Sequence, residues 1–291
     1  MSRLEVLARD IPLEGFEVRT REAGEGEPIL CLHGGPGMDS AYFFPEAGVW
    51  GPGLQALAAD HRVVAYDQRG CGGSGVPDVE QPLALSRHVD DVERVRAALG
   101  LERPTILAHS FGCVLAILFA LQNPDRLSRL VLVGGAPTRG FMAGYRAAVA
   151  EELPPEDQER LAEIQAGELD DEAMRERFRL ALPLYFHRSL SETERASLLS
   201  TIRFSAAVNR AVAAGLESYD LSPALPHIRV PALVIYGTSD RVVAPDYQLE
   251  FRGRLLTARF VAFQESGHFP FLEEPEPFAR VVHYFVRNAD G

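Results

Sequence analysis

Lysine is missing from this 291-residue chain: all 29 basic residues are arginine. Its absence excludes Schiff-base, lysine-nucleophile and Ser–Lys dyad chemistry, so any activated serine must rely on histidine. Host codon bias accounts for such a gap without a functional cause. Cysteine is scarce as well. Cys31, Cys71 and Cys113 are odd in number and fall in or beside candidate core elements, which argues against a disulfide framework and for a reducing compartment. No apolar run reaches about 18 residues, so no membrane-spanning helix is expected. The start, Met1-Ser2-Arg3-Leu4-Glu5, lacks the apolar core of a signal peptide. Together these absences predict a cytoplasmic protein that does not enter a membrane. A net charge of −12, from 41 acidic against 29 basic residues, disfavours nucleic acid and anionic membranes as partners. Small neutral or cationic ligands suit that balance better. No His/Cys cluster has metal spacing, so no metal is expected; oligomeric state is left open.

What is present is an ordinary globular composition, 46% hydrophobic and 24% charged, able to bury a substantial core. The length suits one α/β unit carrying an inserted subdomain. Short β-type runs at 16–21, 29–32, 62–67, 105–109 and 130–133 alternate with helical patterns at 87–99 and 112–122, which predicts an α/β fold with a mainly parallel sheet and helices on both faces. From about residue 137 glutamate, arginine, alanine and leucine dominate and β-branched runs vanish. Sheet-like runs return at 232–236 and 259–263, followed by an amphipathic helix at 278–286. The expected organisation is a core in two parts, 1–136 and 226–291, interrupted by a helical cap, 137–225, above the carboxyl edge of the sheet.

Ligands of open α/β sheets bind beyond the carboxyl ends of the strands, and polar residues gather there. The runs are followed by His33-Gly34-Gly35-Pro36-Gly37, by Asp67-Gln68-Arg69-Gly70-Cys71-Gly72-Gly73-Ser74, by Ser110, by Gly237-Thr238-Ser239-Asp240, and by Ser266-Gly267-His268. Ala108-His109-Ser110-Phe111-Gly112 approximates G-x-S-x-G, a strand-to-helix elbow that presents a nucleophilic serine; Ser-x-Gly after a strand is also an ordinary turn. A serine nucleophile needs a base, and the base a carboxylate to fix its tautomer. Ser110, Asp240 and His268 stand in the chain order Ser…Asp…His. His109 is rejected as base because neighbouring side chains on an elbow point apart, and His33 is read as a prop for its loop. Asp240 also reads as an Asx-turn residue, and Asp220 is a weaker acid. Backbone N–H groups of Gly35 and Phe111 are the expected oxyanion donors. The Asp67–Ser74 segment shapes a loop; without a Walker-type Gly-Lys-Ser/Thr it supports no phosphate site.

These segments together resemble the α/β-hydrolase superfamily and, within it, the proline iminopeptidase family of serine aminopeptidases. The resemblance rests on the His33–Gly37 and Asp67–Ser74 segments and spans the two core portions; the cap is similar only in being helical and similarly placed. It implies an α/β-hydrolase fold, Ser110 as nucleophile, His268 as general base, Asp240 as its orienting acid, and Gly35 and Phe111 as the oxyanion hole. It implies release of an N-terminal residue, often proline, from short peptides without metal or organic cofactor. Ala108 departs from the family's first glycine. Such enzymes hold an α-ammonium with cap carboxylates, and here Glu217 is the candidate, though it also reads as a solvated helix charge. Gly34 and Glu217 stand as candidate substrate contacts. The alternatives are a carboxylesterase or other small-molecule ester or amide hydrolase with the same triad, and a non-catalytic ligand-binding module on the same fold.

Overall fold

The computed structural model describes residues 5–288. Its strands are β1 (Leu7–Leu13), β2 (Phe16–Ala23), β3 (Glu27–Leu32), β4 (His61–Tyr66), β5 (Thr105–His109), β6 (Arg129–Val133), β7 (Ala232–Gly237) and β8 (Ala258–Phe263). They form one sheet in the order β1-β2-β4-β3-β5-β6-β7-β8. Only β1 with β2 and β2 with β4 pair antiparallel; every pair from β4 across to β8 is parallel. Parallel strands covered on both faces read as continuous apolar runs, and all residues of β5 and β6 are buried. β1 has no counterpart among the runs expected from periodicity. It is an edge strand whose Leu7, Ala8, Arg9 and Asp10 are exposed and whose inward anchor is Ile11, so its sequence carries almost no burial signal.

Alternation along the strands sends successive side chains to opposite faces. Leu30, Leu32, Val64 and Ile106 pack with Val89, Val92 and Val95 of helix α1 (Leu85–Ala98) and with Leu115 and Phe119 of α2 (Gly112–Gln122). Ile29, Cys31, Val63, Ala65 and Leu107 face the other way, toward Phe278, Val282 and Phe285. The three cysteines are buried and free. α2 is apolar nearly all round because it lies against the sheet centre.

Between β6 and β7 the chain forms α3 (Phe141–Glu152), α4 (Pro155–Ala166), α5 (Asp171–Ala181), α6 (Glu192–Thr201) and α7 (Ala206–Gly215). Asp170, Ser191 and Ser205 cap α5, α6 and α7 with side-chain oxygens, Ser191 and Glu194 as a reciprocal capping box. These helices are tied to the loops at the carboxyl edge: Ser205 N–H donates to the Gly37 carbonyl (2.7 Å), Asn209 Nδ2 to that of Pro36 (2.9 Å), and His268 N–H to that of Tyr185 (2.6 Å). Short helices α8 (Pro245–Gln248) and α9 (Pro270–Glu273) follow β7 and β8, and α10 (Pro275–Asn288) closes the second face. Among the described residues no helix is long and apolar enough to cross a membrane.

Beneath the carboxyl edge, Arg69 makes a bidentate pair with Asp91 (2.6 and 2.5 Å) and donates to the Pro82 carbonyl (2.7 Å). Both charges are almost wholly buried. Removing one partner leaves the other uncompensated, so Asp91→Ala is expected to lower the unfolding free energy by about 3–5 kcal/mol. Urea titration reads this as a lowered midpoint, and an unchanged midpoint would contradict the burial of the pair.

Candidate active site

β5 ends at His109, and the next residue turns sharply. Ser110 has φ +55°, the left-handed region that a residue with a Cβ rarely occupies. Its N–H donates to the Val133 carbonyl (2.8 Å) and its own carbonyl accepts from Cys113 N–H (2.9 Å). A Cβ on Gly112 would lie 2.4 Å from the Leu32 carbonyl oxygen, so this position must be glycine for α2 to leave the sheet. Ala108, by contrast, is fully buried in the strand, and its methyl is accommodated where the sequence pattern has glycine.

Asp240 follows β7 and His268 follows β8, and the sheet brings their loops together. His268 Nδ1 lies 2.7 Å from Asp240 Oδ2, with both side chains buried. The carboxylate is acceptor-only, so Nδ1 carries the proton. Gln248 Nε2 donates to the same oxygen (2.9 Å), while Val242 N–H and Val243 N–H both donate to Oδ1 (2.9 Å each). Asp240 is thus an Asx-turn residue and the histidine's partner at once: the two backbone donors lock the carboxylate that the imidazole uses. Opposite it, a Cβ on Gly134 would stand 3.1 Å from the His268 ring, placing that ring against the residue that follows Ser110's backbone partner.

His109 is not free to act as a base. Its Nε2 lies 2.9 Å from the His268 carbonyl oxygen and must donate there, leaving Nδ1 to accept from the Tyr42 hydroxyl (2.9 Å). Tyr42 in turn accepts from Gly34 N–H (2.6 Å). This directed chain needs a neutral imidazole, and burial holds the His109 pKa well below its ordinary value. His33 props its loop as expected: Nδ1 donates to the Gly34 carbonyl (2.9 Å) and Nε2 accepts from Gln68 N–H (3.0 Å), with burial lowering its pKa to about 4. Asp67 pairs with Arg21 (2.5 Å) and accepts from Ser40 and from Gly73 N–H. Every one of these polar groups in the Asp67–Ser74 segment is turned to the scaffold.

Above Ser110 opens a cavity of about 610 Å³ between core and inserted helices, bordered by Gly35, Ser110, Phe111 and Glu217. Among the described residues the Gly35 and Phe111 N–H groups have no acceptor. Gly34 lies beneath the serine, its N–H engaged by Tyr42 and the site of its missing Cβ 3.0 Å from Ser110 Cβ. Glu217 is exposed at the rim, and Asp220 pairs with Thr138 as an isolated bridge away from Asp240. Sequence reasoning missed Tyr42, Gln248, Tyr185 and Arg177. The first three come from loops or single helical turns with no periodic signal. Arg177 had one, an arginine at an apolar position of α5.

Glu273, at the end of α9, braces the histidine loop. Its carboxyl accepts from Gly267 N–H (2.7 Å) and, across to the inserted segment, from His187 N–H (2.8 Å). Burial pushes its pKa up to about 7.

Residues 27–275 match the family model described as the alpha/beta hydrolase fold. A proline iminopeptidase of Heyndrickxia coagulans is 27% identical over 92% of this chain and 93% of its own length. A 2-hydroxy-6-oxo-6-phenylhexa-2,4-dienoate hydrolase of Comamonas testosteroni is 28% identical over 95% and 93%. The crystal structure of a proline iminopeptidase from Mycobacterium smegmatis superposes with a TM-score of 0.73 at 24% identity, covering 98% of this chain and 99% of that one.

The brace at Glu273 has a pH signature. The folded chain keeps a proton on this carboxyl between its ordinary value of 4.5 and about 7, whereas the unfolded chain has released it. Stability from this group is therefore full below the lower value and is lost as pH rises toward the upper one. Glu273→Gln has no proton to release, so the difference in unfolding free energy between wild type and variant is expected to change across that window and level off above it. A difference independent of pH would show that the carboxyl titrates normally.

Proposed function

We propose, since the chain belongs to the α/β hydrolase fold family, that it is a serine hydrolase forming an acyl-enzyme on Ser110. The observation that carries this reading is the buried His268–Asp240 pair at 2.7 Å, brought by two different strand ends to the loop that anchors the Ser110 elbow. With Nδ1 committed to Asp240, Nε2 is the nitrogen left to take the serine proton and return it to the leaving group. The locked carboxylate keeps that tautomer and stabilises the imidazolium as it forms. As the acyl carbon becomes tetrahedral, its oxygen gains charge; the unengaged N–H groups of Gly35 and Phe111 are donors that need no reorganisation to receive it. Water then attacks the acyl-enzyme by the same route in reverse.

The fold does not choose the substrate, and the names of the relatives diverge, one toward proline iminopeptidase and one toward a dienoate. A second reading, an aminopeptidase releasing N-terminal proline from short peptides, is favoured by the first of these and by Glu217 at the cavity rim. An α-ammonium leaving water needs such an anion.

Ser110→Ala is expected to reduce kcat on p-nitrophenyl acetate by about 10⁶, as removal of a triad serine does elsewhere, and to abolish labelling by a fluorophosphonate. A loss of tenfold or less would place the nucleophile elsewhere. Proline p-nitroanilide assayed in parallel separates the two readings: ester turnover without anilide cleavage counts against the aminopeptidase.

A further inference from the structure

The chain's net charge of −12 favours cationic ligands in bulk, but the cavity wall has the opposite balance. Arg139, Arg177 and Arg210 border it, against the single carboxylate of Glu217. Arg139 and Arg210 are exposed and donate to the backbone carbonyls of Leu216 and Leu169. Arg177 is different. It falls on the stripe Met174, Arg177, Phe178, Ala181 of α5, spaced i, i+3, i+4, i+7, whose other members are buried, so it lies on the inward face of its helix. Its neighbours on α5 are neutralised, Arg175 by Glu172 (3.5 Å) and Arg179 by Glu176 (2.8 Å). Among the described residues no carboxylate or carbonyl is within bonding distance of Arg177.

Its surroundings supply further donors. Tyr145 and Tyr185 border the same cavity as Arg177. Burial raises both phenol pKa values, so both hydroxyls keep their protons, and neither has a partner among the described residues. The Tyr185 ring is 5.4 Å from that of His268. Arg177, Tyr145 and Tyr185 also share a smaller hollow of about 60 Å³ with Gly35, which puts this donor cluster and the oxyanion loop on one space. A half-buried guanidinium with two phenol donors and no acceptor is complementary to an anion, because a planar fork binds a carboxylate through paired charge-assisted hydrogen bonds.

We infer that the substrate carries a carboxylate, held by Arg177 with the Tyr145 and Tyr185 hydroxyls, within a few bonds of the carbonyl that Ser110 attacks. This substrate class rests on the serine hydrolase reading and goes beyond it. An α-ammonium in the same place would meet the guanidinium's repulsion, with only the exposed Glu217 to offset it.

The test compares matched chromogenic esters: mono-p-nitrophenyl glutarate against p-nitrophenyl valerate for a carboxylate on the acyl side, and the butyrate of carboxylated p-nitrophenol against p-nitrophenyl butyrate for the leaving-group side. Each rate is divided by that of spontaneous hydrolysis. In one pair the charged member is expected to show a kcat/KM higher by about 10- to 100-fold, the worth of one hydrogen bond to a charged group. In Arg177→Met that ratio should fall to near one, and in Arg177→Lys it should recover in part. Both members of a pair report on the same folded protein, so partial unfolding of a variant cancels in the ratio. Neutral members turned over as fast as charged ones in both pairs, or a preference that survives Arg177→Met, would overturn the inference while leaving the hydrolase intact. Faster turnover of proline p-nitroanilide than of either charged ester would overturn it in favour of an ammonium. No turnover of any ester together with no fluorophosphonate labelling of Ser110 is a different result: it removes the hydrolase reading and this substrate class with it.

Discussion

A buried imidazole can accept at one nitrogen and donate at the other only while it is neutral, and at His109 that requirement joins three loops. Gly34 N–H, the Tyr42 hydroxyl, His109 and the His268 carbonyl form one directed chain. It runs from the glycine loop after β3, through the elbow after β5, to the histidine loop after β8. Burial keeps the imidazole neutral, and neutrality keeps the chain's direction. Reversal at any link leaves a buried donor facing a donor, which costs about 1–3 kcal/mol per unsatisfied group. The positions of the Gly35 amide and of the His268 ring are therefore set by the same interaction.

Around that chain the core is polar, and three of its charged groups are fully engaged. Asp240 receives four donors, Asp67 is held by Arg21, Ser40 and Gly73, and Arg69 is closed by Asp91 and Pro82. Such networks are rigid because each member lacks an alternative partner nearby. The unengaged groups that face the cavity are predominantly donors: two backbone amides below, a guanidinium and two phenols above. Rigidity thus belongs to the sheet edge, where chemistry is indifferent to the rest of the substrate. The inserted helices carry the charges that discriminate.

How much was legible depended on where the signal for each residue resides. Ser110 directly follows an apolar β-run, and Asp240 and His268 stand in the loops after two others, so the rule that ligands bind beyond the carboxyl ends of parallel strands placed all three at one edge before any coordinates. The buried strands β3 to β6 were visible for the same reason, as short apolar runs. β1 was not, because an exposed antiparallel edge leaves one inward residue in seven positions. Tyr42 and Gln248 were invisible: one sits in a turn 67 residues from its partner His109, the other in a single turn of helix. Arg177 left a trace, a cation breaking an apolar stripe, but the stripe itself is recognisable only once the start of α5 is known.

Alone, the sequence determined the α/β alternation and the strand-end positions of Ser110, Asp240 and His268, because burial periodicity and strand-end position are local properties that a linear pattern records. Only the tertiary structure decided which groups hold His109 and Asp240 in place, and which sign of charge the cavity presents. Those depend on hydrogen-bond direction and on distances between segments as far apart as the 159 residues separating His109 from His268. Net charge, summed along the chain, averages away a single guanidinium turned inward. The cavity experiences that one charge at close range, because Arg177 borders it directly.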